Sequence, residues 1–446
     1  MPDLNQHPTV IRFYQRTNTK STQPVRLDSA WLRQLCLDLG ADDVGFVEID
    51  RPELHDERAE ILTLFPSTKT LISIVCRMNR EPIRSPARSI ANLEFHDRSD
   101  HTNGTAHAIV SALESRGIRA LNPAGGFPME VQNFPDKKTW IISHKPIAVA
   151  AGLGKMGIHR NVIHPKFGNF ILLATVLVDA EMTELSQPID YNPCLECKLC
   201  VSACPVGAIS PDGEFNFSAC FTHNYREFMG GFNDWVETIV DSKNSADYHE
   251  QVTVGETASM WQSLSYGANY KSAYCMAVCP AGDDVIAPFL TDRKQYLQDV
   301  VRPLQDKVET IYVTAGSDAE AHVLKRFPHK TVKRVGNGLR ISTIGGFLRG
   351  LSTTFQPKTS AGLNCTYHFT FTGSEEVKAT IIVRDQKLVI IEGHQETADI
   401  HIIADSRTWL RFVTHQTNIV RALVQRKIRV KGSPRLLVAF GKCFAN

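Results

Sequence analysis

The sequence predicts three structural units in series: an α/β layer over residues 1–185, a cysteine-rich segment over 186–300, and an α+β unit over 340–446, with 301–339 as a linking or packing segment. Three observations carry this. Helical and strand patterns alternate through the first third of the chain. Seven of the eleven cysteines fall between Cys194 and Cys279. Beyond about Thr310 the chain turns to alternating apolar runs around one amphipathic helix.

Each element follows in order. SAWLRQLCLDLG, from Ser29, places Trp31, Leu32, Leu35, Cys36 and Leu39 on one helical face, and Gly40 is the expected cap. VGFVEI and LISIVC read as strands. A second helix is expected from about Thr105 to Arg116, ending at Gly117. Near the C-terminus, TYHFTF puts Tyr367, Phe369 and Phe371 on one face. ADIHII does the same with Ile400 and Ile402, and KIRVKG with Ile428 and Val430. Between the last two, SRTWLRFVTHQTNIVRALV reads as an amphipathic helix.

The chain has 446 residues and is 43% hydrophobic, enough for several cores. Its formal charge of +2 does not argue for nucleic acid or an anionic membrane as the main partner. The first twenty residues hold no apolar run, and no later stretch approaches a spanning helix. Clustered cysteines without an export signal point to a reducing cytoplasm and a metallocentre, not disulfides.

The metallocentre is written in NPCLECKLCVSACPVGAI. Cys194, Cys197, Cys200 and Cys204, followed by Pro205, give C-x2-C-x2-C-x3-C-P, the iron–sulfur spacing of bacterial ferredoxins. Soft, anionic thiolates suit such clusters, and in two-cluster proteins the fourth cysteine of the run serves the other cluster. The expected sets are therefore Cys194, Cys197, Cys200 and Cys279 for one 4Fe-4S cluster, and Cys204, Cys275 and Cys220 for a second. The second run reads SAYCMAVCP, with Ser272 where a cysteine belongs. Three outcomes are open: Ser272 ligates through oxygen, His223 or Asp283 reaches in, or the site holds a 3Fe-4S cluster or a cubane with an open iron. Zinc or buried thiols would explain neither the spacing nor the C-P ending. Cys36, Cys76, Cys365 and Cys443 read as small buried residues.

AAGLGKMGIHRNVIHPKFGNF contains Gly152, Gly154 and Gly157 in G-x-G-x-x-G order, with Asp179 further on. A dinucleotide fingerprint would need a preceding strand, which IAVAAG does not clearly supply. A tight turn explains the same glycines. Titratable groups gather in EFHDRSDH (His96, Asp97, Asp100, His101) and at Asp136 and His144; each is a candidate proton donor, and EFHDRSDH reads equally as a solvated loop.

The glycine loop joined to the two cysteine runs resembles epoxyqueuosine reductase and, more distantly, the reductive dehalogenases, over about residues 30–290. The resemblance implies a cobalamin against the α/β unit, fed by two clusters, with Gly152, Gly154, Gly157, His159 and Asn161 beside the corrinoid. It also places His107 where the family has the histidine of a D-Y-H motif, although Thr105 and Ala106 precede it here. The family's acidic proton donor falls at Lys138, two residues from Asp136. Residues 340–446 resemble a sterol-carrier-protein domain, through ADIHII, KIRVKG and the intervening helix. That resemblance implies an apolar-ligand tunnel, although Phe369, Phe371, Trp409 and Phe412 read individually as core.

The implied fold is thus an α/β N-terminal domain with an inserted or appended two-cluster ferredoxin-like α+β domain and a C-terminal α+β sterol-carrier-like domain. The implied activity is a cobalamin-dependent reductase with Asp97, His107, Asp136 and His144 as catalytic candidates. Its expected partners are a ferredoxin or flavodoxin donor and a small apolar or lipid-like substrate, with no nucleic acid. The alternatives are an iron–sulfur carrier or sensor without a corrinoid, and a flavin or nicotinamide oxidoreductase using the glycine loop.

Overall fold

The structure is a computed structural model and describes residues 4–16, 26–126, 141–338, 341–414 and 416–444. Helix α1 (Ser29–Asp38) starts at Asp28, whose carboxylate accepts the Trp31 backbone N–H at 2.7 Å, a capping bond that satisfies one orphan donor of the first turn. It buries Leu32 and Cys36 and ends beside Gly40 at φ +110°. Four strands follow around it: β1 (Asp43–Glu48), β2 (Thr70–Arg77), β3 (Ala120–Leu121) and β4 (Ile171–Val178).

Their order is β1-β2-β4-β3, and every pair is antiparallel. The helix–strand alternation of the sequence therefore does not build parallel crossovers. The sheet is nonetheless covered on both faces. Phe46, Ile72, Ile74 and Val176 pack toward α1 and α2 (Arg88–Glu114). Val47, Leu71, Val75 and Leu177 pack on the other side against Ile147 and Ala148 of α3 (His144–Ala150). A strand buried on both faces reads as a continuous apolar run, which is what LISIVC shows.

Helix α2 begins well before Thr105 and takes in EFHDRSDH, so that run is helical and not a loop. The reason lies in its buried polar positions. Glu94 accepts from the Asn79 backbone N–H at 2.6 Å and side chain at 3.1 Å, and Asn92 exchanges hydrogen bonds with the Tyr270 backbone. These buried polar residues hide the apolar periodicity.

The cysteine-rich segment forms short helices around one core: α4 (Leu199–Ala203), α5 (Phe217–Asn224) and α6 (Tyr274–Ala277). Residues 301–339 contain β5 (Thr310–Val313), α7 (Asp318–Arg326) and β6 (Thr331–Arg334), with β5 and β6 parallel. Ile311, Val313 and Val323 of this β-α-β unit join the same core as Cys200, Cys204 and Tyr274. Glu309 fastens it further, accepting from Tyr274 Oη at 2.8 Å and from Lys330 Nζ at 2.8 Å.

The C-terminal unit opens with α8 (Ile344–Thr354) and carries a five-stranded sheet: β7 (Cys365–Thr372), β8 (Val377–Arg384), β9 (Lys387–Glu392), β10 (Ile400–Asp405) and β11 (Ile428–Gly432), ordered β9-β8-β7-β10-β11. Only β7 and β10 run parallel. Tyr367, Phe369, Phe371, Ile400, Ile402 and Ile428 all face inward, as the alternation predicts. The expected long helix is two: α9 (Ser406–Val413), capped by Asp405, and a short turn of helix at Ile419–Val424. Helix α10 (Pro434–Lys442) closes the unit. Cys36, Cys76, Cys365 and Cys443 are all buried, and burial pushes the Cys36 thiol up to about 12. Among the described residues no helix is long and apolar enough to cross a membrane.

Phe369 is fully buried, with its ring centroid 5.3 Å from that of Trp409 and 5.4 Å from that of Phe440. Phe369→Ala is expected to destabilise the C-terminal unit by about 3–5 kcal/mol, read as a shifted urea midpoint for the transition that reports Trp409 fluorescence.

Candidate metal centre

The seven clustered cysteines fall into two groups that meet at one residue. Cys194, Cys197, Cys200 and Cys279 line a single cavity together with Ile158 and His159. Burial raises the Cys197, Cys200 and Cys279 thiols, Cys279 to about 12; neighbouring thiols of the set add to it. The second group is Cys204, Cys220 and Cys275. Burial again raises each thiol first, and Cys220 and Cys275 feel one another or Cys204 next. Cys275 also acts on Cys200 and Cys279, so the two groups are electrostatic neighbours.

Backbone geometry explains the convergence. Lys198, at φ +61°, and Ala273, at φ +53°, each precede a short helix and turn the chain sharply before Cys200 and Cys275. After Pro205 the chain curls back, so the Ala208 N–H donates to Cys204 Sγ at 3.3 Å. The amides of Ala208, Val206, Ile209 and Gly207 act against burial there by favouring the thiolate. Gly207 sits at φ +62°, with the His322 ring 2.6 Å from where a Cβ would be.

Such a donor set suits iron–sulfur chemistry. Crowded, desolvated thiols resist ionisation by themselves, and a metal that takes the thiolate form reverses that. Among the described residues no three His, Cys, Asp or Glu side chains gather about a single ion; a cubane instead takes its ligands at separate corners.

Lys145 is a cation that acts on two thiols of the second group, Cys220 and Cys275. Much of its side chain is reached by solvent, yet protein crowds its ammonium, as in a recess. Burial lowers its pKa, and the Cys275 and Cys220 thiols oppose that. Its Nζ donates to Arg160 O at 2.7 Å and to Asn161 Oδ1 at 3.0 Å. Lys145 therefore ties the second thiol group to the glycine loop.

That loop follows helix α3 and leads into a small hairpin pairing Lys155–Met156 with Val162–Ile163. It lacks the strand-before-glycine context of a dinucleotide fingerprint. Gly152, at φ +76°, and Gly154, at φ +151°, serve close backbone packing. A Cβ on them would lie 2.2 Å from Gln187 O and 2.3 Å from Ile163 O. Gly157 packs on Ile163 and His159. His159 is buried, accepts from the Asn161 N–H at 3.1 Å, meets Asn169 at 3.3 Å, and is pushed down to about 4 by burial.

The described catalytic candidates, Asp97, His107 and His144, stand in separate surroundings. Asp97 is exposed on α2 and pairs with Arg98 at 3.6 Å. His107 is exposed on the same helix. His144 is buried beneath the sheet, with Nδ1 2.9 Å from Thr175 Oγ1 and Nε2 3.2 Å from Ala124 O, so its ring nitrogens are engaged structurally. Asp136 and Lys138 lie outside the described residues. Of the groups suggested to complete the second set, Asp283 is exposed. His223 is buried with Nδ1 accepting from the Tyr312 N–H at 3.3 Å. Sequence reasoning missed Lys145, which no local pattern links to Cys275. It also missed Asn224, which lies one helical turn from Cys220 and was open to an i, i+4 argument.

Two family models match: the 4Fe-4S binding domain over residues 188–210 and the SCP-2 sterol transfer family over 352–445. An epoxyqueuosine reductase of Cellulophaga algicola is 32% identical over 245 residues, covering 49% of this chain and 76% of that one. The chain belongs to the epoxyqueuosine reductase family. The epoxyqueuosine reductase of Escherichia coli is 24% identical over 235 residues, and the chain spans only 60% of its length. Solved structures with similar segments include a selenomethionine-labelled epoxyqueuosine reductase (TM-score 0.34, 17% identity, 46% of this chain and 60% of that one). They also include a reductive dehalogenase whose structure suggests a mechanism for B12-dependent dehalogenation (TM-score 0.40, 15% identity, 70% of this chain and 39% of that one).

Family membership corrects one expectation. A small apolar or lipid-like substrate with no nucleic-acid partner does not agree with these relatives: an epoxyqueuosine reductase has been solved with a tRNA-Tyr epoxyqueuosine-modified tRNA stem loop. The expectation leaned on a net charge of +2, and a whole-chain sum does not report local basic patches.

His144 yields a pH prediction. Burial holds its pKa below the ordinary 6.5, so the unfolded chain binds the proton more readily. The stability this contributes is complete above pH 6.5 and is lost as pH falls toward the depressed value. Wild type is expected to lose more of its urea midpoint between pH 7 and pH 5 than His144→Gln does.

Proposed function

We propose that this chain is an iron–sulfur oxidoreductase that relays electrons through two clusters to a corrinoid for the reduction of a group carried on RNA. The observation that supports it most is the meeting of two thiol groups at Cys275, with Lys145 leading from the second to the glycine loop. Cys194, Cys197, Cys200 and Cys279 would hold one cluster, and Cys204, Cys220 and Cys275 the other. Bound clusters supply one-electron storage at low potential.

The corrinoid part rests on family membership and on a limited fit. Gly152 and Gly154 offer it no face, because backbone carbonyls fill the space above them. The partly exposed residues of the loop, Lys155, Met156, Ile158 and Asn161, the last of which accepts from Lys145, are the ones that suit it. A corrinoid supplies, when bound, the redox-active metal that the substrate step uses. Lys145 Nζ donates to Arg160 O and Asn161 Oδ1 there, and the positive charge of its ammonium form favours the more negative, reduced state of the neighbouring thiolate site. Arg160 and Lys166, exposed at the same loop, are placed to neutralise RNA phosphates.

The deciding experiment is metal analysis of protein purified without oxygen from cells supplied with cobalamin. Iron with about one cobalt per chain supports the proposal; iron alone, even after soaking with cobalamin, removes the corrinoid from it. Cys194→Ser is expected to abolish electron transfer from a chemical reductant to bound cobalt, followed by visible absorption. Lys145→Met is expected to lower the midpoint potential of the second cluster by about 60 mV, the one-electron equivalent of a tenfold change, in a potentiometric titration followed by electron paramagnetic resonance. The double variant Arg160→Ala, Lys166→Ala is expected to weaken binding of bulk tRNA and to reduce its salt slope by about 2, measured by filter binding.

A further inference from the structure

We infer that the second cluster site has three thiolate ligands and no fourth protein ligand, so that one iron there is bound to solvent and exchangeable. This rests on the reading of the two thiol groups as cluster sites and deepens it.

The two cysteine runs repeat one another. Cys197-Lys198-Leu199-Cys200 and Ser272-Ala273-Tyr274-Cys275 each place a left-handed residue second and open a short helix, and each continues to a C-P pair, Cys204-Pro205 and Cys279-Pro280. Ser272 therefore occupies the backbone position that Cys197 occupies in the first run. By place alone it would be the substitute ligand.

Its hydrogen bonding says otherwise. Ser272 is buried, and its Oγ donates to Asn224 Oδ1 at 3.1 Å. The same oxygen accepts the Ser272 N–H at 2.9 Å and the Ala273 N–H at 3.1 Å. Two backbone donors fix which end of the Asn224 amide faces Ser272. The atom beside the hydroxyl is thus an acceptor, and the hydroxyl keeps its proton to donate to it. A serine that ligates iron does so as an alkoxide, which has no proton to give. Asn224 holds Ser272 in the protonated, non-ligating form.

Among the described residues, neither of the other side chains suggested for the place replaces it. His223 sits on the same helix as Cys220, but its ring lies against Tyr312 at a centroid distance of 6.2 Å, and the charged groups acting on it are Glu309, Lys271, Lys330 and Lys307, none of them a thiol. Asp283 is exposed, and its backbone is bound to Pro165. The polar groups that do act on Cys220 and Cys275 are the Lys145 ammonium, committed to Arg160 and Asn161, and the Tyr225 phenol, whose ring is held among Phe221, Phe228 and Tyr270.

The test uses the full chain, purified without oxygen and then treated with ferricyanide, a mild one-electron oxidant. Iron counting and electron paramagnetic resonance are the readouts. Wild type is expected to fall to about seven irons per chain and to show the signal of an oxidised three-iron cluster. Ser272→Ala is expected to behave as wild type, because the hydroxyl is not a ligand. Ser272→Cys is expected to retain about eight irons and lose the three-iron signal. Wild type that keeps all its iron without a three-iron signal overturns the inference. So does a Ser272→Ala spectrum that departs from wild type, or a three-iron signal that persists in Ser272→Cys and so belongs to the first set. In each of these cases the cluster reading itself stands. Protein that binds no iron under any of these conditions overturns both.

Discussion

The central constraint on this molecule is the need to gather seven thiols in the protein interior. Burial drives Cys197, Cys200, Cys204, Cys220, Cys275 and Cys279 toward the neutral form, and the proximity of other thiols adds to the effect at most of them. The surrounding structure answers with positive and partly positive groups. Backbone amides after Pro205 point at Cys204, and Lys145 stands beside Cys220 and Cys275. The left-handed turns at Lys198 and Ala273 exist to bring sulfurs inward within very short helices. The antiparallel sheet and its flanking helices then serve as the wall on which this gathering leans.

That wall and its attachments were unequally visible in the sequence. The cysteine spacing is a covalent ruler, so the membership of each run could be read directly. The inward faces of β7, β10 and β11 were also legible, because a half-buried strand alternates strictly. The antiparallel order of the first sheet was not. A strand covered on both faces looks the same whichever way its neighbours run, and nothing in LISIVC records direction. The true length of α2 was hidden for another reason: Asn92 and Glu94 are buried polar residues satisfied by Tyr270 and Asn79, far apart in sequence.

At the site, local motifs overstated some residues and passed over others. Gly152 and Gly154 form a recognisable pattern, yet their lack of a side chain is used up by Gln187 and Ile163. Asp97, His107 and His144 are titratable, but helix geometry sends the first two to solvent and the sheet encloses the third. Lys145 and Asn224 carry no motif at all. Their importance comes from the electrostatic reach of Lys145 to Cys275 and the hydrogen bond of Asn224 with Ser272, which only the folded chain creates.

The joint between the cysteine-rich part and the C-terminal sheet has a mechanical meaning. Asp318, at the start of α7, accepts from the Lys358 and Thr359 backbone N–H groups at 2.8 and 3.0 Å and from Thr359 Oγ1 at 2.8 Å, while Gln356 Oε1 accepts the Asp318 N–H at 2.8 Å. Helix α7 also presents His322 to Gly207, in the turn that donates amides to Cys204. A continuous set of contacts thus runs from the sterol-carrier-like unit through one helix to the sulfur environment. The same helix touches both the anchor of that unit and the turn whose amides face Cys204.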